Sequence, residues 1–427
     1  MNQLCNPGEH VSRRGFLKGT VLTAGGAMVA NWGALTSSAA LAASVEKKQK
    51  KCIMLWMAGG ASQFETFDMK VGRKTGGPFR PISTNLPGAE VCELLPNIAQ
   101  HMDKLAVIRS MRTSQVDHPG GTYLMHTAFP PIANLTHPEI GAVCAKYLGD
   151  EGSDLPSFVQ MTPGGQSGPT AGAGFLGPRF QPFSMGMEGK LPRLTGTYIA
   201  GQDEARRNEL RSFLDEKFVA EHPAEPHRAF QHAYDRSRRL LNAKSVFDIS
   251  KEWAKYGEKY GDSKFGRNCL LARQLVEAGV AFVEVGAHGY DTHADNFTGH
   301  KALLPTMEKA WAALLVDLQE RGLLDDTLVI WMGEIGRTPY INNRAGRDHY
   351  VKAWSTALSG CGIKGGVVYG KTDPDGMTVA ENPVSEGDFF ATVYKALGID
   401  HGTNHYVGLR PVPLTLQGSK PVDALFA

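Results

Sequence analysis

The sequence has no C-x-x-C pair, no internal repeat and almost no net charge, and each absence removes a class of function. Its six cysteines, Cys5, Cys52, Cys92, Cys144, Cys269 and Cys361, are widely spaced, which excludes a cysteine zinc site. Most sit in apolar contexts and read as buried free thiols rather than disulfides. Lys+Arg at 45 against Asp+Glu at 43 leaves a formal charge of +2, so nothing global points to nucleic acid or an anionic membrane as partner. A hydrophobic content of 42% and a mean hydropathy of −0.24 exclude a polytopic membrane protein and a mainly disordered chain. What remains is an ordinary globular composition over 427 residues, enough for two or three domains or one large one.

The amino terminus reads as an address. Ser12-Arg13-Arg14-Gly15-Phe16-Leu17-Lys18 precedes a mildly apolar Gly/Ala-rich stretch and then Ala39-Ala40-Leu41-Ala42, an arrangement that resembles a twin-arginine signal peptide cleaved after Ala42. Loss of Arg13, Arg14, Lys18 and Glu9 would take the basic count from 45 and the acidic count from 43 to 42 each, a neutral mature chain. The expected location is exported, periplasmic or extracellular, with the twin-arginine translocation machinery as partner and no membrane span after cleavage. Such a route implies a protein exported already folded, often carrying a metal or cofactor.

Residues 43–51 form a short basic linker, and 52–425 read as one α/β domain. The apolar run Cys52 to Ala58 predicts a buried strand ending on Gly59-Gly60. Leu105 to Arg109, Ala281 to Val285, Thr327 to Met332, Ala353 to Ser359 and Gly366 to Tyr369 predict further strands. Helical spacing covers Thr122 to Ala128, Glu139 to Leu148, Asn268 to Ala278, Lys301 to Gly322, and Ser385 to Gly398, the last capped by serine and ended by glycine. A Gly- and Pro-rich stretch and then a polar, charged helical one occupy about 160–260, which reads as a helical and irregular insertion. The fold expected is a large, mostly parallel sheet flanked by helices.

In open α/β sheets, ligands lie beyond the carboxyl ends of the strands, and there the polar residues gather. One strand leads into His288, Asp291, His293 and Asp295, another into Glu334, Arg337 and then Asp348-His349, a third into Asp117-His118-Pro119, and the first into Ser62 and Glu65. Imidazole and carboxylate together suit a divalent metal, zinc or manganese before calcium or magnesium, at a site handling a phosphoryl or sulfuryl oxyanion. The expected ligands are Asp291, His293, Glu334, Asp348 and His349. Because neighbouring residues rarely point the same way, one of Asp348 and His349 reaches the metal while the other braces it. Glu334 is either a ligand or the ion-pair partner of Arg337. Arg337 and Arg112 are candidates for holding an anionic group, and His118 and Ser62 for the point of attack, Ser62 being alternatively a helix cap. His126, His288, His300 and His405 read as structural or rim residues.

With these residues in view, the chain is identified as a member of the bacterial domain of unknown function 1501 family. It resembles that family in its leader, in Gly59 to Asp68 (G-G-x-S-x-x-x-T-F-D), in Asp291 to His293 (D-T-H), in Gly333 to Pro339 (G-E-x-G-R-T-P) and in Gly346 to His349 (G-R-D-H). The family in turn resembles the alkaline phosphatase superfamily, with its sulfatases and metal-dependent phosphoglycerate mutases. The resemblance implies metals held at strand ends. It also marks two departures: Ala58-Gly59-Gly60 stands where an aspartate usually ends the first strand, and Asp117-His118-Pro119 stands where the nucleophile usually opens a helix. The second excludes the formylglycine of ordinary sulfatases. The expected activity is therefore an exported metal-dependent hydrolase or transferase acting on a phosphate or sulfate ester of a small molecule or polysaccharide. The alternative is a non-catalytic binding protein of the envelope that holds a metal, an anion or a glycan on the same scaffold.

Overall fold

The first strand shows why its sequence is apolar without alternation. In the computed structural model Lys51–Met57 (β1) runs in the middle of a sheet: Ile53, Leu55 and Met57 enter one apolar cluster, and Cys52, Met54 and Trp56 enter another on the opposite face. A strand covered on both sides needs apolar residues at every position. The structure describes residues 49–161, 171–186, 202–221, 240 and 243–427. The expected export signal lies outside them, as do parts of the expected insertion.

Eight further strands complete the sheet: Ala106–Arg112 (β2), Phe158–Met161 (β3), Phe183–Ser184 (β4), Phe282–Ala287 (β5), Thr327–Met332 (β6), Trp354–Ser359 (β7), Val367–Tyr369 (β8) and Val384–Ser385 (β9). Their order is β8-β2-β7-β6-β1-β5-β3-β4, with β9 also paired to β2. β1 is parallel to β5 and β6, β5 to β3, β3 to β4, and β2 to β8 and β9. Only β7 is reversed, antiparallel to β2 and β6. The carboxyl ends of β1, β2, β5 and β6 thus share one edge of the sheet with the amino end of β7.

Helices cover both faces. His118–Thr127 (α1), Ile140–Leu148 (α2) and Glu386–Leu397 (α7) supply the cluster that takes Trp56, and Lys264–Glu277 (α5) and Asn296–Glu320 (α6) supply the other. Gln202–Glu221 (α3) and Ser250–Tyr260 (α4) are the described helices of the polar stretch. The segment read as a helical and irregular insertion also contributes β4, an edge strand of the main sheet. Cys52, Cys92, Cys144, Cys269 and Cys361 are free and buried. Among the described residues no helix is long and apolar enough to cross a membrane.

Three helix starts differ from the sequence reading: α5 begins at Lys264 rather than Asn268, and the other two bear on the shared edge. α1 begins at His118 rather than Thr122, because Asp117 caps it: Gly120 N–H donates to Asp117 Oδ1 at 2.8 Å, and Pro119 fits the first turn. α6 begins at Asn296 rather than Lys301. α7 follows its signals, with Ser385 accepting from Asp388 N–H and Gly398 in the left-handed conformation.

Candidate metal centre

At the shared edge the chain after β1 has no side chain to offer, and its backbone takes that role. Gly59 and Gly60 have φ of 102° and 76°, and a Cβ on Gly59 would lie 2.4 Å from Asp291 N, so only glycine allows the β5 loop to come this close. Gly59 N–H donates to Glu334 Oε1 at 2.8 Å, and Arg337 donates to the carbonyls of Gly59 and Gly60. Backbone and a buried Glu334 therefore occupy the place where the resemblance implied an aspartate.

Three imidazoles surround Asp291, each oriented in the same way. His118 Nδ1 faces Glu334 Oε1 at 2.7 Å, His293 Nδ1 faces Asp348 Oδ1 at 2.6 Å, and His349 Nδ1 faces the Val116 carbonyl at 2.8 Å. Each of these partners is an oxygen acceptor, so each Nδ1 donates and, in the neutral ring, each Nε2 presents a lone pair. All three Nε2 atoms turn to Asp291: His118 lies 3.2 Å from Oδ2, His293 3.0 Å and His349 3.2 Å from Oδ1. The Nε2 atoms of His293 and His349 are only 3.0 Å apart. Two lone pairs aimed at one another repel unless a positive charge lies beside them. His118 Nε2, although at ion-pair distance from Asp291, is buried without a hydrogen-bond partner.

This donor set fits a divalent cation. His118, Asp291 and His349 offer atoms within 4.8 Å of one another, and His293 adjoins them through Asp291 and His349. Imidazoles braced at Nδ1 by carboxylate or carbonyl are the usual company of zinc and related transition metals. Although burial opposes its charge, His118, His349 and Arg337 hold the Asp291 carboxyl far below the ordinary carboxylate range. The partners of His118 act in the other direction: Asp291 first and Glu334 second push its pKa up to about 9 against the cost of burial. Below its ordinary value near 6.5 the folded state keeps the full benefit of that proton, and loses it as pH rises through about 9. A cation competes for the same nitrogen. Its apparent affinity is thus expected to rise by up to about tenfold per pH unit from near neutrality to about 9, measured by zinc or manganese titration at several pH values; a flat profile would contradict His118 as a ligand.

The structure sorts the expected residues by position. Asp291, His293, His349 and His118 converge, so His118 joins the candidate ligands. Glu334, 0% exposed, stands behind His118, and Asp348 stands behind His293. Arg337 differs from its expected role: it is also 0% exposed and donates to Asp291 Oδ1 at 2.7 Å and to three carbonyls, which makes it a holder of Asp291 rather than a grip for an anion. Ser62 is fully buried, accepts from Phe64 N–H and donates its own N–H to His300, so it caps a short turn and does not face the cluster. Arg112 ends β2 exposed, and the hydrogen bonds of the cluster do not include it.

Three supports carried weaker signals. Val116 acts through a carbonyl, which no side-chain motif announces. Asn342 fastens the loop behind His293, donating to its carbonyl at 3.0 Å while accepting from Arg344 and Gly346 N–H. Arg347 is buried with Glu65 in a two-bond ion pair of 2.9 and 3.1 Å and also donates to the carbonyls of Thr75, Thr338 and Pro339.

The sheet is thus mostly parallel, with a His/Asp cluster at its carboxyl edge. The chain belongs to the family described as Protein of unknown function (DUF1501), whose model matches residues 49–426. No curated protein matches it significantly. Similar solved structures include the PsFucS1 sulfatase from Pseudoalteromonas sp., 13% identical with a TM-score of 0.39, covering 86% of this chain and 71% of its own. The phosphonate monoester hydrolase SpPMH from Silicibacter pomeroyi is 11% identical with a TM-score of 0.39, at 88% and 76% coverage. A protein in the alkaline phosphatase superfamily from Vibrio parahaemolyticus is 12% identical with a TM-score of 0.37, at 82% and 67%.

Proposed function

We propose that this is an exported metal-dependent hydrolase or transferase acting on a phosphate or sulfate ester, of a small molecule or a polysaccharide. The observation that carries the reading is the convergence of three Nδ1-braced imidazoles on Asp291. A zinc or manganese ion held there would supply a Lewis acid to the ester oxygens. The residues of the chain do the rest: Arg337 and Gly59 fix the Asp291 loop, Glu334 and Asp348 fix the rings of His118 and His293, and the 34% and 36% exposure of His293 and Asp291 leaves an open side for substrate.

The second reading, a metal- or glycan-binding envelope protein, is favoured by one observation: Ser62, the expected hydroxyl nucleophile, is fully buried and occupied as a cap. The test is turnover of aryl phosphate, phosphodiester and sulfate esters by the zinc- and manganese-loaded mature protein, with sugar sulfates and phosphates as a second panel. Product formation that disappears in the Asp291→Asn variant supports the enzyme. Saturable binding without product supports the binder.

A further inference from the structure

A second set of titratable groups lies inside the protein, outside the cluster. His126 is on the same face of α1 as His118, two turns on, with Thr122 between them. It is 2% exposed, donates from Nδ1 to the Thr122 carbonyl at 2.8 Å, lies against the Trp56 ring at 4.2 Å, and has Nε2 3.3 Å from Glu284 Oε2 without hydrogen-bond alignment. Glu284, in the middle of β5, accepts from Gln160 at 3.2 Å. Glu139, at the start of α2, is 0% exposed, accepts from Gly172 N–H, and has Oε2 without a hydrogen-bond partner. Two carboxylates and an imidazole in so apolar a setting need protons to offset their charge. Further buried polar atoms without hydrogen-bond partners are Thr122 Oγ1, His288 Nε2 and Glu334 Oε2.

We propose that His126, Glu284 and Glu139 form a buried proton-holding site coupled to the metal centre, so that loading the centre with a divalent cation drives one proton from His126 to solvent. The inference rests on the metal-centre reading above. Burial works against an imidazolium here, but Glu284 and then Glu139 outweigh it and push His126 up to about 9. Burial in turn raises the Glu139 carboxyl, while His126 draws it back down. His288, after β5, is the remaining titratable group near this set, and burial lowers its pKa so that it adds no charge. Eight residues of helix separate His126 from His118, about 12 Å. The cation brings a charge of two and displaces the proton of His118, a net gain of one, which at that separation lowers the His126 pKa by about one pH unit, so the ring gives up its proton in the range just below 9. The N–H bond of the imidazolium breaks, the proton leaves, and the neutral ring stays beside Glu284.

The experiment is nitrogen-detected NMR of histidine-labelled mature protein at a pH between 8 and 9, with the His126 signal identified from a His126→Gln variant and zinc as probe, alongside calorimetry in two buffers. We expect a mainly imidazolium signature for His126 before zinc and a mainly neutral ring after one equivalent. Glu284→Gln, which removes the opposing charge without changing shape, should give a neutral ring from the start and one fewer proton released on zinc binding. If zinc binds and the His126 ring keeps one state throughout, the coupling is wrong while the metal centre stands. If no zinc binds, both fall. Should His126→Gln fail to fold, the Glu284→Gln proton count decides alone.

Discussion

Replacing His293 and His349 together by alanine is expected to weaken zinc or manganese binding by more than about 100-fold, beyond the range seen when only a supporting residue is lost. Both Nε2 atoms lie within 3.2 Å of Asp291 Oδ1, and without them a cation there meets only His118 and the carboxylate. The side chains are 34% and 21% exposed and outside the apolar clusters, so the variant should unfold close to the parent temperature. Elemental mass spectrometry of the two proteins, with a melting curve for each, checks both halves. Full metal occupancy in a folded double variant would remove the assignment.

Arg347→Met is expected to cost about 3–5 kcal/mol of folding stability, the usual penalty for stranding a buried charge. Glu65 and Arg347 are each 0% exposed, and the guanidinium also lies over the Phe64 ring at 4.4 Å. Without Arg347, Glu65 keeps only Asn296 Nδ2, at 2.9 Å. The loss should reach the metal centre as well, because the Arg347 carbonyl holds Arg337 and the next two residues are Asp348 and His349. Urea unfolding measures the first effect. The double variant Glu65→Met/Arg347→Met should be less destabilised than the sum of its singles; simple additivity, or a cost under about 1 kcal/mol for Arg347→Met, would show that the pair is not the internal strut described.

Much of this architecture was legible in the sequence, for reasons visible at particular residues. Cys52 to Ala58 and Thr327 to Met332 are runs that only a strand covered on both faces requires, and Ser385 and Gly398 bracket a helix with their own hydrogen-bonding chemistry. The reversed direction of β7 was not legible, because an apolar run carries no sign of which way it points. Nor was the start of α1: Gly120 and Gly121 argue against helix, and the Asp117 cap overrides them. At the site, the histidines and Asp291 could be found from their places after strands. Their orientation could not, since it depends on a carbonyl at Val116 and on carboxylates far along the chain. The pairing of Glu65 with Arg347 shows the same limit, for two motifs on different loops give no hint that each contains half of one ion pair.

The short ladder that pairs Arg337 with His349 and Gly336 with Tyr350 also has a consequence for how such a protein diversifies. Both ends of the intervening segment are pinned opposite each other, and Asn342 secures its far side, while Tyr340 and Ile341 project at 66% and 36% exposure. That tip is a socket for variation: selection or an engineer can recode it to meet a different molecule, and the residues of the His/Asp cluster need not move.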